Sequence, residues 1–158
     1  MQKITPCLWF DGKAEEAARF YVSVFRRSKI GKITHYTEGM PLPAGTVLTV
    51  SFRIEGQDFL ALNGGPEFKF TEAISLMVDC KTQKEVDELW AKLTAGGGQP
   101  VECGWLKDKY GLSWQLVPSI LMKAIQDKDP AKVKRVMDAM MKMVKIDIAA
   151  IQKAYKGT

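Results

Sequence analysis

The stretch AISLMVDCKTQKEVDELWAKLTAGGG, residues 73–98, predicts a strand followed by an amphipathic helix. AISLMVDC is a short apolar run with strand character, and the residues after it change to helical spacing. The apolar positions of this helix form one stripe: Val86, Leu89, Trp90 and Leu93. Thr82 and Glu85 have the spacing of a capping box, and the glycines at 96–98 end the helix.

The same order of elements occurs earlier in the chain. ITPCLWF (4–10) is a short apolar run, and AEEAARFYVSVF (14–25) has an apolar stripe at helical spacing. An offset of 69 residues places Leu8 on Met77 and Tyr21 on Trp90. Each helix is followed by three segments with strand character, which are separated by turns. We expect strands near 4–10, 29–37, 46–54, 57–63, 73–80, 99–105, 106–111 and 112–118, and helices near 13–26 and 82–96.

This repeat predicts an α+β fold in which two βαβββ modules form mixed-sheet half-barrels, with helices at the C-terminal end. We expect the first module at 1–72, the second at 73–118 and a helical tail at 119–158. In the tail, Asp129-Pro130 and Asp147 have the character of helix starts. The first tail helix has an apolar face: Val133, Val136, Met137, Met140, Met141 and Val144. Such a face is either an adaptable partner surface or packs on the chain's own sheet or a second copy.

Composition and charge argue against a nucleic-acid-binding, membrane-spanning or disulfide-rich protein. Residues 1–122 hold 14 basic and 14 acidic side chains, whereas residues 123–158 hold nine basic and four acidic ones. The excess charge of the tail is typical of a solvated helix face, and no nucleic-acid-binding motif accompanies it. No apolar stretch is long enough to span a membrane, and the start of the chain has strand character and no signal-peptide pattern. Three widely spaced cysteines suggest no disulfide framework and favour a reducing, cytoplasmic setting.

Several segments resemble the vicinal oxygen chelate superfamily, which includes glyoxalase I and the bleomycin-resistance proteins. The matching segments are ITPCLWFDGKAEEAARFY, SKIGKITHYTEG, FLALNGGPEFKFTEAISLMVDC, CGWLKDKYGLSWQLVP and the tail from Asp129 to Tyr155. Within the superfamily, the chain is most similar to the branch of demethylubiquinone 3-methyltransferase-like and phosphonate-operon B-like proteins. The resemblance implies a glyoxalase-like fold and a homodimer.

The resemblance also implies where metal ligands would lie. In metal-using members, His and Glu side chains project from the first and last strand of each module. The aligned positions here are Thr5, Ala61, Ala73 and Gln115, and none supplies an imidazole or a carboxylate. The only histidine, His35, has the setting of a surface residue. We therefore expect no bound metal.

Other catalytic patterns are missing as well. A conventional methyltransferase has a glycine-rich loop between a strand and a helix, whereas Gly64-Gly65 leads into a proline and Gly96–Gly98 ends a helix. Cys7 and Cys103 lie in predicted strands, and buried structural cysteine is the ordinary interpretation of such positions. We expect no cofactor, and S-adenosylmethionine only if the branch's methyltransferase activity applies.

The remaining candidate site is the concave face of the predicted sheets. Strand alternation predicts that it is lined by Thr5, Cys7, Trp9, Asn63, Ser75, Met77, Ser113 and Gln115. This mixture of aromatic, apolar and hydrogen-bonding groups is typical of a small-molecule pocket, although a filled core would use the same residues. Two functions stay open. One is metal-free binding of a small molecule, and the other is an enzyme, with methyl transfer to a quinone-like aromatic substrate as the activity that the branch implies. No nucleic acid or membrane partner is expected.

Overall fold

A computed structural model of the protein describes residues 2–158 and divides the chain into two compact units. One unit ends at Phe70, and the other is Thr71–Thr158. The helical tail belongs to the second unit, because its apolar residues pack on the end of that unit's sheet.

Each unit contains one βαβββ module, so the predicted fold class is confirmed. The first module consists of β1 (Cys7–Phe10), α1 (Ala14–Val24), β2 (Lys29–His35), β3 (Val47–Ile54) and β4 (Gln57–Asn63). The second consists of β5 (Ser75–Cys80), α2 (Gln83–Thr94), β6 (Gln99–Pro100), β7 (Trp105–Lys107) and β8 (Ser113–Pro118). The strand order is β1-β4-β3-β2 in one sheet and β5-β8-β7-β6 in the other. In both sheets the first and last strands pair in parallel, and the other pairs are antiparallel.

A single helix covers one face of each sheet. The apolar stripe of α1 is buried, as the sequence predicted, at Ala14, Ala17, Ala18, Tyr21 and Val24. In the second unit, Val86, Leu89 and Leu93 of α2 are buried. The backbone N–H of Glu85 donates to Thr82 Oγ1 at 3.2 Å, as a capping box requires. The Glu85 carboxylate accepts from the backbone N–H of Lys81 and not from that of Thr82. The second hydrogen bond of the capping box is therefore made to the residue before the N-cap.

The offset of 69 residues holds for the helices but is wrong for the first strands. Leu8 is buried and pairs with Ala61 on the face covered by α1, whereas Met77 is 55% exposed. The counterpart of Leu8 is Val78, which pairs with the fully buried Leu116. Two residues separate β1 from the residue that precedes α1, and one residue separates β5 from Thr82. A shift of one residue moves a strand's side chains to the opposite face.

The closing strands of the second module are shorter than predicted. The strand expected at 99–105 is limited to β6, and residues 101–104 form a loop. Cys103 lies in this loop with a left-handed φ of 59°, so its placement in a strand was wrong. The strand expected at 106–111 is limited to β7, and a turn follows it. The Asp108 carboxylate organises that turn by accepting from the backbone N–H groups of Tyr110 and Leu112 at 2.9 and 3.1 Å.

The tail forms three helices: α3 (Ser119–Ile125), α4 (Pro130–Met140) and α5 (Ile148–Lys156). Asp129 and Asp147 cap the last two by accepting backbone N–H groups at 2.9 and 3.0 Å, as predicted. The helices pack on one another and on the end of β8 through Val117, Leu121, Ala124, Val136, Ile146 and Ile151. Met141 and Val144 lie beyond the end of α4 and are 63% and 48% exposed, so the predicted apolar face is shorter. Within residues 2–158, no helix combines the length and the apolar character that crossing a membrane requires.

Candidate functional site

The candidate site in the second unit is the sheet face opposite α2, which we call the outer face of the second sheet. Its residues are Ser75, Met77, Trp105, Lys107, Ser113 and Gln115. Gln115 pairs in register with Met77 on one side and with Trp105 on the other. Ser113 stands in the same way between Ser75 and Lys107. The structure therefore brings together four residues of the predicted pocket, all in the second unit.

Two of these polar side chains form a direct hydrogen bond. Gln115 Nε2 donates to Ser75 Oγ at 2.8 Å. No donor within residues 2–158 bonds the Gln115 carbonyl oxygen Oε1, and the Ser113 hydroxyl is buried without a partner. The face thus has an oriented amide with an unused acceptor, next to a hydroxyl that can donate or accept.

Apolar and charged groups flank this polar pair. The Met77 side chain is 55% exposed, and Trp105 is half-buried on the other side of Gln115. Lys107 forms an ion pair with Glu72, whose pKa is lowered by the hydrogen bond from that lysine. The next residue of β8 on this face, Val117, packs into the apolar cluster of the tail. The tail therefore covers the end of the face beyond Gln115, and the polar pair lies between an exposed thioether and an indole.

The sequence missed Trp105 and Lys107 as residues of this face. The predicted boundary between two strands fell between positions 105 and 106. Trp105 and Lys107 were therefore assigned to different strands, and the alternation of side chains along one strand could not place them on the same face. The register of β7 with β8 is the signal that identifies both, because residues directly opposite each other share a face.

In the first unit, Cys7 and Trp9 lie on the face of the sheet opposite α1. Cys7 is exposed and pairs with Leu60, and Trp9 is half-buried and pairs with Leu62. Trp9 Nε1 donates to the Gly65 carbonyl at 2.9 Å, and the indole makes an edge-on contact with Phe68 at 4.9 Å between ring centroids. The indole donor is therefore used within the protein. Thr5 is exposed and precedes β1.

Asn63 does not lie where the sequence predicted. Its side chain is 3% exposed and lies on the face covered by α1, opposite the concave face expected for a ligand group. Oδ1 accepts from the backbone N–H of Ala14 at 2.9 Å, and Nδ2 donates to the Val47 carbonyl at 3.0 Å. Lys13, at the N-cap of α1, makes no side-chain cap. Asn63 thus supplies from β4 the cap that α1 lacks.

Residues 2–117 match the model of the 3-demethylubiquinone-9 3-methyltransferase family. The chain belongs to this family. A PhnB protein from Bacillus cereus is 42% identical with a TM-score of 0.68, and the match covers 75% of this chain and 100% of that one. A Pseudomonas aeruginosa protein has the same fold at 17% identity and a TM-score of 0.60, with 75% and 98% of the two chains covered. No match was found among curated proteins.

The family match ends at residue 117, before α3. The tail that was expected to resemble the branch therefore lies outside the matched region. The two-module architecture agrees with the vicinal oxygen chelate superfamily, to which the sequence was similar.

Two of the four aligned metal positions need correction. Ala73 precedes β5, and the register that matches Leu8 with Val78 makes Ser75 the counterpart of Thr5. Ala61 is fully buried on the face covered by α1, so its side chain cannot face outward. The counterpart of Gln115 is Leu60, which pairs with β1 on the outer face as Gln115 pairs with β5. Leucine offers no donor atom either. Within residues 2–158, no group of three or more His, Cys, Asp or Glu side chains could hold a metal ion.

A Cys–His nucleophile is also unsupported by the geometry. Cys7 begins β1 at one edge of the first sheet, and His35 ends β2 at the other edge. Two strands separate them, which corresponds to about 14 Å between the strands. Burial, with a smaller effect of Glu85 and Asp79, raises the pKa of the Cys80 thiol to about 12. Cys80 is therefore a protonated core residue at neutral pH.

Proposed function

We propose that the protein binds a small, neutral, partly aromatic or apolar molecule at the outer face of the second sheet. The hydrogen bond between Gln115 and Ser75 is the observation that supports this function. It holds the amide in one orientation, and no donor within residues 2–158 bonds its Oε1. Binding sites of this kind combine apolar walls with a few oriented polar groups.

The chemistry of the face favours a neutral ligand. A neutral amide can accept from a ligand hydroxyl or donate to a ligand carbonyl. Met77 and Trp105 supply polarisable apolar surface on either side of Gln115. At the edge of this face, the charges of Lys107 and Glu72 neutralise each other in an ion pair.

Replacing Gln115 with alanine is expected to weaken ligand binding by about 1 kcal/mol or somewhat more, the typical effect of losing one hydrogen bond in a desolvated site. Titration calorimetry of the wild type and Gln115→Ala, with a molecule recovered from the purified protein, measures the difference. Gln152→Ala, on the exposed side of α5, is the matched control and should bind like the wild type. Equal affinities for all three proteins would remove Gln115 from the site.

We also propose that the protein is a C2 homodimer with tail helices near the interface. Large apolar side chains outside the proposed ligand face are exposed in the second unit: Ile74 is 64%, Met141 63% and Val144 48% exposed. Burying such side chains against a second copy is the ordinary way to remove them from water. Light scattering at micromolar concentration should give twice the mass of one chain, and a single-chain mass would contradict the proposal. Met141→Glu should weaken the dimer, whereas Ala149→Glu, also exposed on the tail, should not.

Ligand binding is proposed to proceed without a metal. The proposal is supported by the residues that the strand register aligns with metal-ligand positions: Thr5, Leu60, Ser75 and Gln115 carry neither an imidazole nor a carboxylate. Elemental analysis of protein purified without chelators should find far less than one Zn, Ni, Fe or Mn per chain. One equivalent of metal, released together with loss of structure at the outer face, would contradict this part of the proposal.

An enzymatic role is the alternative, and the family description supports it. The activity would be transfer of a methyl group from S-adenosylmethionine to a quinone-like aromatic substrate. Incubation with a labelled methyl donor and a demethylated quinone separates the two functions, because a binding protein gives no labelled product.

We further propose a cytoplasmic location, which the three free cysteines support.

A further inference from the structure

A second candidate site lies in the first unit, on the loop between α1 and β2 and the turn between β3 and β4. A surface depression of about 400 Å³ is lined by Arg26, Arg27, Ser28, Lys29, Arg53 and Gly56. Every ionisable side chain that lines it is basic. Neither the proposed ligand face nor the family description assigns a role to this depression.

Two of the four cations are already paired with carboxylates. Arg53 binds Asp58 through two hydrogen bonds of 2.5 and 2.9 Å, which lower the pKa of that carboxyl. Arg27 binds Glu55 at 2.8 Å. In the part of the chain that the structure describes, Arg26 and Lys29 form no ion pair with any carboxylate. The lining therefore carries two cations outside direct ion pairs, although the charge of Lys29 also helps to lower the pKa of Asp58.

A serine and a glycine complete the lining of the depression. Ser28 Oγ lies buried between Arg27 and Lys29, and no hydrogen-bond partner for it is found within residues 2–158. Gly56 has a φ of +85° in the β3–β4 turn and leaves no side chain at the rim. Lys29 pairs in register with Arg53, so the two cations are neighbours on adjacent strands.

We propose that this depression binds the phosphate group of a small soluble phosphomonoester. A phosphomonoester is a dianion near neutral pH and accepts several hydrogen bonds from guanidinium, ammonium and hydroxyl groups. Arg26 and Lys29 supply the unpaired charge, and Ser28 supplies the neutral hydrogen bond.

Phenyl phosphate, titrated into the full chain at constant ionic strength, tests the proposal by NMR of the backbone amides at 26–29 and 56. Saturable shifts confined to these amides are expected. The double variant Arg26→Ala/Lys29→Ala should lose about tenfold or more in affinity, since it removes two charge-assisted contacts. The control double variant Lys3→Ala/Lys69→Ala removes the same charge from exposed positions of the same unit and should bind like the wild type.

The variant Ser28→Ala provides an independent test of phosphate binding. It should weaken phenyl phosphate binding several-fold and leave the stability of the free protein unchanged, because the hydroxyl has no protein partner to lose. Equal losses in both double variants would show a general charge effect and overturn the proposal. Unchanged affinity in Arg26→Ala/Lys29→Ala and Ser28→Ala would overturn it as well. Binding of phosphatidic acid vesicles or duplex DNA at these residues, without binding of phenyl phosphate, would show that the occupant is wrong.

Discussion

Replacing Asp108 with alanine is expected to lower the free energy of unfolding by about 3 kcal/mol or more. The Asp108 side chain is 2% exposed and accepts from the backbone N–H groups of Tyr110 and Leu112. Its second oxygen accepts from Trp114 Nε1 at 2.9 Å. Alanine leaves these buried donors without an acceptor, and each unsatisfied donor carries a desolvation penalty.

Urea denaturation of the wild type and Asp108→Ala measures this loss. Asp138→Ala is the matched control, because it removes a carboxylate whose ion pair with Lys134 is exposed on α4. Such a pair contributes at most about 1 kcal/mol. The turn between β7 and β8 positions Ser113 and Gln115, so the variant should also lose ligand binding. Equal stabilities of the two variants would contradict the structural role assigned to Asp108.

Replacing Asn63 with alanine is expected to cost about 2–4 kcal/mol of unfolding free energy. The substitution leaves the first N–H of α1, at Ala14, and the Val47 carbonyl without their side-chain partner. Loss of the helix cap and loss of the part-buried hydrogen bond to Val47 combine in one change. Thermal unfolding followed by circular dichroism measures the effect.

Asn63→Asp tests the donor half of this pairing. Aspartate keeps an acceptor for Ala14, but its ionised carboxylate cannot donate to Val47 and is buried beside that carbonyl oxygen. The variant should therefore lose less stability at a pH that protonates the new carboxyl than at neutral pH. Normal stability of Asn63→Ala combined with weaker ligand binding would return Asn63 to the pocket that the sequence predicted.

The fold could be predicted because periodicity and helix caps are local properties of the sequence. The stripes of α1 and α2 and the caps at Thr82, Asp129 and Asp147 all depend on residues within one or two turns. The faces of β1 and β4 depend on a different property. One additional residue before α1 changes the alignment of the two modules, and only pairing with the neighbouring strand fixes which residues face the helix.

The candidate site was predicted in part for the same reason. Ser113 and Gln115 share a face through alternation along one strand, which the sequence displays directly. Asn63 was misplaced because its partner, the uncapped end of α1, lies far away in the sequence. Trp105 was missed because β7 has only three residues and its face is set by its register with β8.

Native mass spectrometry of the freshly purified full chain tests the ligand-binding role most directly. The wild type should retain a small-molecule adduct that is lost on denaturation. Gln115→Ala should retain less of it, and Gln152→Ala should retain as much as the wild type. An adduct of equal occupancy in all three proteins would contradict binding at the outer face of the second sheet. A wild type that carries no adduct, and acquires none on incubation with a neutral quinone, would contradict the proposed function itself.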